Sequence, residues 1–223
     1  MDDSVTKEAA WRSAVLVGST VTVGEYREKN HGEVKDHNFR SEAVGMAIPY
    51  GVYVVQDNSG AVVVGTSHET SEFAVASLAK WWRYQGRMRY PGARNLLVLA
   101  DTGGGNAANR HARKYFLQWG FCNKYGISVT VSHYPSGASK WNPVEHRLFS
   151  EISKNWRGRP LDSYQTCLNY IATSRTSTGL KVRAYLDSMQ YEKGIEISKT
   201  ELEFLRLKRD DTPRKWNYTL RPH

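Results

Sequence analysis

Leu96-Leu97-Val98-Leu99-Ala100-Asp101-Thr102-Gly103-Gly104-Gly105-Asn106 is the stretch on which the reading of this chain turns. Asn95 to Ala100 is short and continuously apolar, the pattern of a strand buried on both faces. Asp101 then falls at the C-terminal end of that strand, where open α/β sheets place ligands. The glycines that follow let backbone approach a ligand closely. A strand-terminal Asp also caps helices and closes turns, and without further signals those uses are commoner than catalysis. A phosphate loop is not the answer, because Gly103–Gly105 fits neither G-x-x-x-x-G-K-[ST] nor G-x-G-x-x-G.

A second segment, Ser139-Lys140-Trp141-Asn142-Pro143-Val144-Glu145-His146-Arg147-Leu148-Phe149, lies 44 residues on, counted from Asp101 to Glu145. Asn142 suits a helix cap and Pro143 the first helical position. Val144, Leu148 and Ile152 follow at four-residue spacing as a buried stripe. Glu145 has an ordinary use as the capping-box residue that reaches back to the cap. Its surroundings suggest another: Lys140, His146, Arg147, Lys154 and Arg157 form a cationic face suited to a phosphate backbone. Trp141 suits either a base or the core, and core is the commoner use. One helix, one strand and a loop fit between the two acids, which brings strand end and helix start to one edge of a sheet. Carboxylates gathered there hold divalent metal ions ~4 Å apart against a phosphodiester.

The remaining elements agree with an α/β layer. Ala14 to Gly18 reads as a short strand continued by Thr20 to Val23, and Glu25 to Arg40 as a loop. Tyr50–Val55 and Ala61–Gly65 flank the turn Asp57-Asn58-Ser59-Gly60 as a hairpin. Thr70 or Ser71 caps a helix through Phe73, Val75, Leu78, Trp81 and Trp82. Another helix covers Ala107 to Lys124 with Tyr115, Phe116, Trp119 and Cys122 near one face, and Ile127–Val131 is a strand. The expected sheet is mixed, antiparallel first and parallel after. Leu161 to Thr173 reads as helical, and the basic end from Arg206 to His223 as a tail with interleaved aromatics. The expected divisions are an irregular segment 1–45, a core 46–160, and a helical extension with basic tail 161–223.

Composition narrows the function classes. Lys and Arg number 31 against 22 Asp and Glu, a net charge of +9 that favours a polyanionic partner. The two cysteines, Cys122 and Cys167, have no metal or disulfide spacing. His68, His111, His133 and His146 lack the spacing of a zinc site, and no G-x-S-x-G elbow supports serine hydrolysis. No apolar run approaches the ~20 residues that span a bilayer. Met1-Asp2-Asp3-Ser4 has no signal-peptide pattern, so a cytoplasmic protein is expected.

The ordered series Ala47-Ile48-Pro49-Tyr50-Gly51-Val52-Tyr53, Glu72-Phe73-Ala74-Val75 with Trp81-Trp82, the two acidic segments, Asn155-Trp156-Arg157-Gly158, Thr178-Gly179-Leu180-Lys181-Val182 and Trp216-Asn217-Tyr218-Thr219 resembles the DDE-type transposases of bacterial insertion sequences, in the Rhodopirellula-type group. The resemblance implies a ribonuclease-H-like mixed sheet with flanking helices and dependence on Mg²⁺, with Mn²⁺ as a substitute. It implies DNA cleavage and strand transfer on element ends and target DNA, by an oligomer formed on DNA and associated with the nucleoid. Asp101 matches the second acid of the triad and Glu145 the third, and both would be metal ligands. The family carries its first acid on the first strand, within a Val-Asp-Thr-Lys-Lys-Lys-Glu-Leu-Val-Gly type stretch. That position here is Ala10, with Asp2 and Asp3 nearby but outside the pattern. The expectation is therefore an N-terminally truncated, impaired transposase domain with an incomplete first strand. The alternatives are an inactive DNA-binding remnant that inhibits a full-length relative, and a ribonuclease-H-like nuclease unrelated to transposition.

Overall fold

The computed structural model describes residues 14–19, 25–26, 45–100, 111–134, 142–159, 161–209 and 217–223, with 14–19, 25–26 and 45 described by backbone alone. Its sheet grows from the hairpin of β4 (Ile48–Val54) and β5 (Ser59–Gly65), paired in register from Ile48 opposite Gly65 to Val54 opposite Ser59. Every residue of β4 is buried, as expected of a strand covered on both faces. The hairpin turn holds Asn58 at φ 44°, a conformation asparagine tolerates better than most residues. Tyr53 Oη donates to Asn58 Oδ1 at 2.8 Å, and Asn58 Nδ2 donates to the Thr178 carbonyl at 2.9 Å.

β1 (Ala14–Ser19) lies at the centre. It runs antiparallel to β4, with Val17 opposite Val52, and parallel to β6 (Asn95–Ala100), with Val17 opposite Ala100. β6 in turn runs parallel to β7 (Ser128–His133), pairing Ala100 with His133. An antiparallel hairpin on one side of the first strand and two parallel strands on the other make a ribonuclease-H-like mixed sheet. The strands expected near Ala14–Gly18, Tyr50–Val55, Ala61–Gly65 and Ile127–Val131 are present, and β6 has the bounds its apolar run foretold.

Helices cover both faces. On one, α1 (Ser71–Trp81) starts at Thr70, whose Oγ1 accepts the Phe73 N–H at 3.1 Å. It continues through a π-helical segment, Trp82–Gly86. Beside it, α2 (His111–Leu117) runs on through the π-helical Gln118–Asn123. Phe73, Leu78, Leu117 and Phe121 are fully buried here with Val52, Val63, Val98 and Val129, each apolar side chain contributing about 1.5–3 kcal/mol. Trp119, expected with them, is 44% exposed and stacks on His223. The opposite face receives the π-helical Val144–Phe149, its continuation α3 (Ser150–Trp156), and α4 (Tyr164–Ala172).

Segment 161–223 supplies strands as well as helices. β8 (Lys181–Asp187) pairs parallel to β5, while β9 (Leu207–Arg209) and β10 (Tyr218–Leu220) extend the sheet beyond β7. The order is β8-β5-β4-β1-β6-β7-β10-β9. Within the stretch expected as a loop, β2 (Glu25–Tyr26) pairs with β3 (Gly45–Met46). The expected continuation at Thr20 to Val23 and the start of the second helix at Ala107 lie outside the described residues.

Two glycines set the distance between sheet and helix on the second face. A Cβ at Gly51 would stand 2.7 Å from Phe149 Cε2, and one at Gly60 would stand 2.6 Å from Leu148 Cδ1. Both are closer than atoms tolerate, so Leu148 and Phe149 rest directly on strand backbone. We expect Gly51→Ala to cost about 1–3 kcal/mol in urea unfolding, the usual penalty of overpacking. Combining it with Phe149→Leu should fall short of the summed losses by about 0.5–3 kcal/mol, since the two positions share one space.

Candidate functional site: the rim of the central strands

The rim forms where β6 ends. Ala100 is flanked by Val17 of β1 and His133 of β7, and its carbonyl accepts the Tyr134 N–H at 3.0 Å. The pleat sorts the neighbouring side chains, with Val98 and Ala100 in the core beneath α1 and α2 and Leu99 packed on the other face. Asp101 and the glycine run lie outside the described residues, as do Lys140 and Trp141.

Glu145 is placed from the other direction. The buried Asn142 begins its helix, with Oδ1 accepting the Val144 N–H at 3.2 Å. The Asn142 carbonyl accepts the N–H of Glu145 at 3.1 Å and of His146 at 3.3 Å. Pro143 occupies the first helical position, where its missing N–H costs nothing. Val144, Leu148 and Ile152 are fully buried, so the stripe read from the sequence is the face that docks. Behind Glu145 the helix is widened: the Ser150 N–H bonds to the Glu145 carbonyl, five residues back. Such π-turns recur at functional sites.

This helical segment lies over β1 and β4. Phe149 sits on Gly51, whose partner in β1 is Gly18, one residue past the Val17 that pairs with Ala100. The helix carrying Glu145 is thus seated at the end of the sheet where β6 finishes, on the face that Leu99 shares. Glu145 itself is half-buried. β1 reads Ala-Val-Leu-Val-Gly-Ser and contains no acid, while Ala10, Asp2 and Asp3 lie outside the described residues.

The remaining candidate side chains are exposed. His146, Arg147, Lys154 and Arg157 all face solvent along the helix and its end. Lys154 Nζ lies 2.6 Å from Glu151 Oε1, a surface pair worth only about 0–1 kcal/mol and easily exchanged for a phosphate. Among the described residues no three His, Cys, Asp or Glu side chains are grouped as a metal site.

Two features escaped the sequence reading. His133, dismissed there as a metal ligand, is buried beside Ala100, and its backbone N–H donates to Asn217 Oδ1 at 3.3 Å. Asn217 therefore ties the C-terminal segment to the rim; only its place in the Trp216-Asn217-Tyr218 motif hinted at a role. Arg113 of α2 is 1% exposed, with Tyr50 and Tyr218 nearby and no guanidinium hydrogen bond of normal geometry. A polar residue inside a helical apolar pattern was its only signal.

Asn142→Ala removes the cap and should lower stability by about 0.5–2 kcal/mol, measured by urea unfolding. Asn142→Asp, which keeps an acceptor at the same position, should restore most of it.

The sequence matches the family model described as the Rhodopirellula transposase DDE domain over residues 10–222. No curated protein matches it. Among solved structures it is similar to the Mos1 strand transfer complex, at 11% identity and a TM-score of 0.47, covering 75% of this chain and 48% of that one. It is also similar to the Mos1 transposase paired-end complex with left transposon end, at 9% identity and a TM-score of 0.48, covering 75% and 49%. The chain spans about half the length of these solved chains. On the match across nearly its whole length, the chain belongs to the Rhodopirellula transposase DDE domain family.

Proposed function

We propose that the chain is the catalytic part of a DNA transposase that cleaves and joins DNA strands for an insertion sequence. The observation that carries the reading is the seating of the Glu145 helix over β4 and the central strand β1, at the end of the sheet where β6 finishes. Asp101 and Glu145 would hold the metal, Mg²⁺ with Mn²⁺ as a substitute. Two carboxylates with waters and substrate phosphate suit one Mg²⁺. The ion would supply charge to a phosphodiester oxygen and acidify a bound water or 3′-hydroxyl. Lys140, Trp141, His146, Arg147, Lys154 and Arg157 would hold the DNA backbone, with element ends and target as partners and an oligomer assembled on them. A protein working on the bacterial nucleoid fits the net positive charge. Among the described residues, no helix is long and apolar enough to cross a membrane.

We infer from the acid-free β1 that such an enzyme would be impaired. Without a bridging carboxylate from the central strand, a second metal ion lacks a ligand and the developing phosphate charge is poorly neutralised. The same observation favours the second reading, a DNA-binding protein that has lost catalysis and inhibits an intact relative by joining its assembly.

The test is incubation of the full chain with supercoiled DNA carrying element ends, with Mg²⁺ or Mn²⁺. Weak nicking is expected, reduced about 100-fold or more by Asp101→Ala or Glu145→Ala. Joining of 3′ ends to target DNA separates a transposase from a simple nuclease. Robust cleavage abolished by Asp2→Ala or Asp3→Ala would show that the first acid comes from the N-terminus and that the impairment is wrong. Salt-sensitive binding without any metal-dependent cleavage would favour the inhibitor.

A further inference from the structure

At the opposite end of the sheet, on the face away from Glu145, a cleft of about 330 Å³ opens between the end of the α1 helix and edge strand β8. It lies where β4 turns into β5, since Ser59, the partner of Val54, also pairs with Lys181. A seven-residue strand separates it from the rim, a distance of about 20 Å. Val54 and Trp81, both nearly fully buried, line it together with Gly86 and the exposed Met88. Its size is at the lower end of small-molecule sites.

The charges lining the cleft do not cancel. Asp57 is already engaged: Arg89 donates to its two oxygens at 2.9 and 2.6 Å, and Tyr90 Oη donates at 2.8 Å. The Arg89 guanidinium holds the Asp57 carboxyl below its usual range, so it stays ionised and neutralises Arg89. Lys181 and Arg183 remain, exposed on the same face of β8, and neither forms an ion pair with a described carboxylate. Two residues apart on a strand, they are spaced by about 7 Å, close to the spacing of successive phosphates on an extended nucleic-acid strand. Further along that face, Tyr185 stacks with the exposed Tyr84 at 5.4 Å. The arrangement combines cations that follow a backbone with a cleft walled in part by Val54, Trp81 and Met88, and with an aromatic pair beside it.

We propose that this cleft and the adjoining face of β8 bind a single-stranded segment of nucleic acid, with Lys181 and Arg183 on consecutive phosphates and one base in the cleft against Met88. A duplex keeps its bases stacked and cannot fill the cleft, so the single strand is the preferred form. The choice of DNA as the polymer rests on the proposed transposase function, whereas the site itself rests on the cleft and its uncompensated cations.

Fluorescence anisotropy of the full chain with a labelled single-stranded 10-mer and a duplex of equal length, across a salt series, tests the proposal. Lys181→Ala/Arg183→Ala should weaken single-strand binding about tenfold and flatten its salt slope by about 1.4, the share of two phosphates. Duplex binding should change less than twofold. Met88→Asp, which sets a carboxylate at the mouth, should cause a similar single-strand loss. These side chains are exposed, and thermal midpoints within a few degrees of the parent confirm folding. Equal losses on duplex and single strand, or no loss on either, would overturn the proposal. So would inorganic phosphate that displaces the 10-mer as well as an unlabelled copy does. Nicking is read separately, so inactivity at the rim does not imitate failure here.

Discussion

The close approach of the Val144–Phe149 segment to the strand backbone at Gly51 and Gly60 governs the geometry of the candidate site. Side chains at either position would push the helix outward, because Leu148 and Phe149 occupy the space a Cβ needs. Packed interiors behave as solids at this scale, and a shift at the contact is carried along the helix. Glu145 lies one turn from Leu148 on that helix, so its height above the rim is set by two hydrogen atoms where side chains would otherwise be. Asn142 fixes the other coordinate by starting the helix at one residue. The carboxylate is thus positioned by contacts that are themselves remote from chemistry.

Under the opposite face the rim is given a positive bias. Burial pushes Tyr218 up to about 12, so this neighbour of Arg113 stays neutral and leaves the guanidinium charge uncompensated by it. Burying a charge without a full set of hydrogen bonds costs several kcal/mol. Arg113 begins just past the chain that links β6 to α2, and its charge lies in a low-dielectric interior where fields are weakly screened. Such a cost is tolerated where the site benefits, and local rules fail most often at such positions.

How far the sequence discloses this arrangement depends on whether local pattern or tertiary pairing decides each element. The run Asn95 to Ala100 discloses β6, because a strand between two neighbours is apolar on both faces. Asn142-Pro143 and the Val144, Leu148, Ile152 stripe disclose the Glu145 helix, because cap and face are written in consecutive residues. β8 is harder to read. Its Lys-Val-Arg-Ala-Tyr-Leu-Asp alternates weakly, and as an edge strand only its contact with β5 makes it a strand. β9 and β10 have three residues each, too few for any period, and only the pairing of β10 with β7 and of β9 with β10 makes them strands. Trp119 illustrates the same limit, since its helical spacing points inward while the π-widened turn carries it out to His223.

The central strand bears most directly on chemistry. Val17, Gly18 and Ser19 occupy the sheet end where β1 adjoins β4 and β6, a position that a strand-borne carboxylate would share with any acid at the end of β6. Gly18 lies opposite Gly51, and the missing side chain at Gly51 leaves the space that Phe149 fills. A larger residue at Gly51 would compete with the helix for that space. If the rim acts as proposed, a fold that keeps its helix seated while β1 carries no carboxylate would keep the exposed cations of that helix for DNA and lose the charge that neutralises a transition state. Under that proposal binding and catalysis would be separable, because they would depend on different atoms of the same rim.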